Sequence, residues 1–217
     1  MVQTRSAFSL IEILVVVAMV AMLATVGVSS WRGMQEKSLL ARGLNQVRQM
    51  GLATCQYAAD NDGTLPGSAH DGNSWVAGLL PYFGLSVSSS VDEIKKVYRS
   101  PADPNKTRLY SYAINDFLLP GPAGAPHLNY SRQSKVPYLS ETVLFTETQK
   151  TYTGSDHFHF VYGVAASAVK SAAAVDRYQN GGLYVFADGH VEWLRWNEVQ
   201  ARLAAPGNRF LNPVGNP

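Results

Sequence analysis

Cysteine is nearly absent from this 217-residue chain. Cys55 stands alone, so no disulfide closes within the chain, and the residue reads as a small apolar member of a helix rather than a reactive or intermolecular thiol. Charge is sparse too: 16% of residues are charged and the net charge is +2, which advertises no polyanion-binding surface. Basic residues such as Arg32, Lys37, Arg42, Arg48 and Arg108 are scattered and lack the aromatic interleaving of a single-strand groove. No nucleic-acid partner is expected. No Gly-x-Ser-x-Gly occurs and no acid–His–Ser spacing is diagnostic, so the chain is not expected to be an enzyme. Proline is missing between Met1 and Pro66, which permits one long helix.

What is present begins with an apolar run. From residue 8 to residue 28 every side chain is apolar or small except Ser9, Glu12 and Thr25. At about 1.5 Å per helical residue this is long enough to span a bilayer. Yet a carboxylate in such a run costs roughly 2.5–3.5 kcal/mol. A secretory signal peptide wants a shorter apolar core and no early acid. An uncleaved anchor fits the length but gives Glu12 no purpose, unless it snorkels towards the headgroups.

The stretch "RSAFSLIEILVVV" resembles the prepilin signature of type IV pilins and type II secretion pseudopilins. The resemblance implies a leader at residues 1–7, with Ala7 in place of the usual Gly, cleavage between Ala7 and Phe8, and N-methylation of Phe8. It implies that Glu12 sets filament register against a neighbour's new Phe8 amino group; carboxylate and ammonium attract strongly in low dielectric. It also implies partners: other pilin-like subunits, a prepilin peptidase/methyltransferase, an assembly platform and the inner membrane, with the head in the periplasm and later in a periplasmic or surface filament.

A second resemblance lies near the C-terminus. "YQNGGLYVFADGHVEW" is similar to the His-x9-Asp-Gly segment of a large pseudopilin-like group, and "YAADNDGTLP", "SPADP" and "SETVLFTET" resemble its recurring segments. Asp188 and Gly189 match, whereas Tyr178 stands where that pattern has His, and Ser100 where many relatives have Cys.

The expected fold is α+β and pilin-like. A long N-terminal helix would have a transmembrane half (8–28) and an amphipathic half (29–60), packed on a small antiparallel sheet in a head at 61–217. Leu40, Leu44, Val47, Gly51, Thr54 and Ala58 form the packed stripe, while Arg42, Arg48, Gln49 and Gln56 face away. "VGVSSWRG" is the helix's weak spot. Asp60, Asn61, Asp62 and Gly63 read as a capping turn rather than a calcium half-loop. Strands are expected in "LYSYAIN", "TVLFTET" and "HFHFVYGV" (157–164), with a hairpin at 183–196 turning on Asp188–Gly189 as a two-residue type I′ loop.

Two binding readings remain. His157 and His159 would share a strand face, and His190 or Asp188 could join them, but zinc needs three or four ligands and polar members of a sheet face are the better reading. Calcium in the head stays open; no other cofactor is expected. The alternative function is a membrane-anchored periplasmic binding module, for instance for carbohydrate through Trp75, Tyr82, Trp193 and Trp196, although aromatics at such positions are more often core.

Overall fold

The computed structural model describes residues 9–72, 74–120, 129–153, 156–160 and 165–215, the side chains of 26–30 and 71 excepted. The chain divides into two compact units, Met1–Ser38 and Leu39–Pro217, and helix α1 (Leu10–Asp60) contributes to both.

In the first unit α1 is exposed nearly all round, from Leu10 at 81% to Leu23 at 73%. Among the described residues no helix is long and apolar enough to cross a membrane. The expected transmembrane half at 8–28 is corrected on this finding. At the expected weak spot the backbone stays helical.

The second unit is built on a four-stranded antiparallel sheet in sequential order: β1 (Tyr112–Ile114), β2 (Val143–Glu147), β3 (Gly181–Phe186) and β4 (Val191–Arg195). Alternation along the strands sends side chains to two faces. Tyr112, Ile114, Leu183 and Val185 join Val47, Met50 and Ala53 of α1 in one core. Ala113, Tyr184 and Phe186 enter another with Val169 of α4 (Ala166–Ala172) and Val199 and Leu203 of α5 (Trp196–Ala204). A register shift between Val143 and Phe145 lets Leu144 and Phe145 both serve the α1 side. The sheet is therefore covered on both faces, where the sequence predicts at least one, the helix side. α2 (Trp75–Gly78) and α3 (Val91–Tyr98) add Trp75, Ile94 and Tyr98 to the α1-side core.

The predicted stripe is the one that packs: Val47, Gly51, Thr54 and Ala58 are buried, Leu40 and Leu44 half-buried, and Arg42, Arg48, Gln49 and Gln56 exposed. The helix ends as a capping turn. Asp62 takes φ +53° and the Gly63 N–H reaches back to the Ala58 carbonyl at 2.8 Å, closing the last turn. Two local expectations need correction. In "HFHFVYGV", His157 makes a single parallel bridge to Ile114 and the described residues form no strand: the Asp156 carbonyl and the Phe158 N–H both bond Ile114, and among the described residues the pairing goes no further; residues 161–164 lie outside the described residues. The hairpin loop has three residues, not two: Phe186 N–H bonds the His190 carbonyl, Gly189 N–H bonds the Phe186 carbonyl, and Gly189 takes φ +88° while Asp188 has no positive φ. That is a turn followed by a glycine bulge.

Candidate functional site

The N-terminal site rests on Ser9 and Glu12; Ala7 and Phe8, the expected cleavage and methylation positions, lie outside the described residues. Ser9 is the residue before α1, and its carbonyl accepts the first helical bonds, from Glu12 N–H at 3.0 Å and Ile13 N–H at 3.3 Å. The Ser9 N–H donates to Glu12 Oε2 at 2.9 Å, and Ile11 N–H approaches Ser9 Oγ at 3.4 Å. Glu12 thus caps its own helix, satisfying one orphan donor and placing negative charge at the positive end of the helix dipole. The Ser-x-x-Glu spacing is the signal for this, and the apolar run around it hid the reading.

His190 pairs with acids of its own hairpin rather than with His157 and His159, and the sheet-face reading of those two falls with the expected strand, which the described residues do not form. His190 Nδ1 lies 2.6 Å from Asp188 Oδ1 and Nε2 3.6 Å from Glu192, and its ring stacks on Phe186. His157 instead lies between two others, its ring centroid 4.7 Å from that of His159 and 4.8 Å from that of His70. Burial, then the neighbouring His157 and His70, holds the His159 imidazole below its ordinary pKa. Among the described residues no group of three or more His, Cys, Asp or Glu side chains is arranged to hold a metal ion.

Beside them Asp156 is 2% exposed. Its carboxylate accepts from Ser74 Oγ at 2.5 Å and from Ala69 N–H at 2.9 Å, and it lies 3.3 Å from His157 Nδ1. Burial pushes this carboxyl up, but the bonds from His157, Ser74 and Ala69 outweigh it and its pKa falls below the ordinary carboxylate value.

The two positions that depart from the His-x9-Asp-Gly pattern touch one another. Ser100 Oγ and Tyr178 OH are 2.7 Å apart, and Tyr178 OH donates to Glu147 Oε1 at 2.9 Å. Glu147, fully buried, also pairs with Arg177 at 2.5 Å, whose other nitrogen donates to the Thr148 carbonyl. Asp103 joins through Ser111 Oγ and Arg108. Sequence reading missed this network because its members lie in four separated segments. Its burial makes it a brace rather than a reactive site.

The aromatics of the carbohydrate reading do not form one platform. Trp75 is fully buried among Tyr98, Tyr110 and Phe145. Trp193 donates to the Tyr178 carbonyl and Trp196 sits under Lys170. Cys55 is half-buried and donates to the Asp188 carbonyl at 3.3 Å; burial, then Asp188, raises its pKa. Compared with known protein families, curated proteins and solved structures, the chain matches none.

Proposed function

We propose that this chain is a pilin- or pseudopilin-type structural subunit, cut between Ala7 and Phe8, methylated at Phe8, and assembled with copies of itself or similar subunits through the first part of α1. The observation that carries the reading is the exposed apolar surface of the first unit. Leu10, Ile11, Leu14, Val17, Met22 and Leu23 are all more than half exposed. Contiguous apolar patches of this kind mark interaction surfaces, and helices that stack side by side would bury them. The processing enzyme and assembly platform of such systems act at the bacterial inner membrane, and the subunit is proposed to meet them there.

Glu12 then has two roles in sequence. In the single chain it accepts the Ser9 N–H; in the assembly it turns to the methylated amino group of a neighbour and fixes register. Cysteine cross-linking tests the assembly. With Cys55→Ser as background, Val17→Cys in the full chain, expressed with a prepilin peptidase and assembly platform, is expected to give ladders of linked oligomers. A chain that stays monomeric at every level of oxidation would overturn the reading.

A further inference from the structure

We infer that the head carries a binding pocket for a small aliphatic ammonium ligand, a short carbon chain ending in a primary amine. The pocket has a volume of about 360 Å³ and is walled by Leu80, Val87 and Ile94, with Ser74, Tyr110 and Asp156 among its polar members. That volume sits at the small end of the roughly 300–1,000 Å³ range of small-molecule sites, and suits a chain of a few carbons rather than a macromolecular segment.

Charge selects the ligand's end group. Among the described residues Asp156 is the one carboxylate lining the pocket, and no Lys or Arg lines it. Among the described residues no Lys or Arg pairs with Asp156 either; its basic neighbour is His157. The Asp156 carboxylate, fixed by Ser74 and Ala69 beside apolar walls, attracts a cation more strongly than it would in water. The walls favour methylenes and disfavour strongly hydrated ions. A compact inorganic cation satisfies only the charge and an alkanol only the walls, so an alkylammonium fits both.

The site has a built-in reporter, since the Trp75 indole N–H donates to the Asp156 carbonyl at 2.7 Å. The experiment is an NMR titration of the full-length protein in detergent with pentylamine and with 1-pentanol, following the Trp75 indole resonance. Pentylamine is expected to give a saturable shift at a Kd at least about tenfold below that of pentanol, since a charged hydrogen bond outweighs a neutral one by that much or more. Asp156→Asn is expected to remove the preference. Because that variant could misfold, Val87→Arg is the second arm: Val87 is 78% exposed on the rim, and an arginine there would repel the amine and weaken its binding tenfold. No saturable shift with pentylamine, pentanol binding as tightly, or pentylamine binding unchanged in Val87→Arg would each overturn the inference.

Discussion

Glu12 carries two separable properties, a hydrogen-bond acceptor and a charge. A capping box works with Gln as well as with Glu, whereas pairing with a neighbour's amino group needs the carboxylate. Glu12→Ala is expected to lose the cap, and with it helix content at the start of α1, and also to assemble poorly. Glu12→Gln is the sharper variant: circular dichroism should find its helix content unchanged, while its filament yield falls. Wild-type yield from Glu12→Gln would leave Glu12 as a cap and nothing more. In the second unit, Arg177→Met strands Glu147 in the interior and is expected to cost about 3–5 kcal/mol by denaturant titration. The Glu147→Leu, Arg177→Met double variant should recover most of that loss, because it removes the buried charges together. His159 adds a pH dependence. Its folded pKa lies below the ordinary 6.5, so below that pH the unfolded chain binds a proton that the folded chain resists. Stability is expected to fall as pH drops below 6.5 towards the folded pKa. Thermal melts of His159→Gln should have a flatter profile over that window.

At the scale of elements, the close approach of α1 to the β3–β4 loop is set by two glycines. A Cβ on Gly51 would run into the Gly189 carbonyl, which is backbone and cannot rotate away. Gly51→Ala is therefore expected to cost about 1–3 kcal/mol, measurable as a lowered denaturation midpoint. Much of this architecture was legible in the sequence. The stripe on α1, the Asp62–Gly63 stop, and β1, β2 and the closing hairpin follow from periodicity and turn chemistry. The second face of the sheet was not legible: α4 and α5 are short, and "ASAVKSA" has too few turns to display a period. The segment around His157 reads as a strand from composition, but among the described residues its bridge partner is Ile114, and pairing is a long-range property that composition does not carry. The Ser100–Tyr178–Glu147 contact was hidden for the same reason, its members being 31 to 78 residues apart in the chain.

At the scale of the whole molecule, the two units differ in what they leave undone. The second buries most of its apolar residues in two cores and satisfies the buried carboxylate of Glu147 internally. The first leaves a helix of exposed aliphatic side chains, and in this account other copies cover them. Among the described residues no helix is long and apolar enough to cross a bilayer, and the proposed function is built on assembly and processing rather than on a membrane span. Processing is the direct test. Intact-mass spectrometry of the protein isolated from its native cells is predicted to find a chain that begins at Phe8 and carries one added methyl group; a chain that retains Met1 would contradict the account.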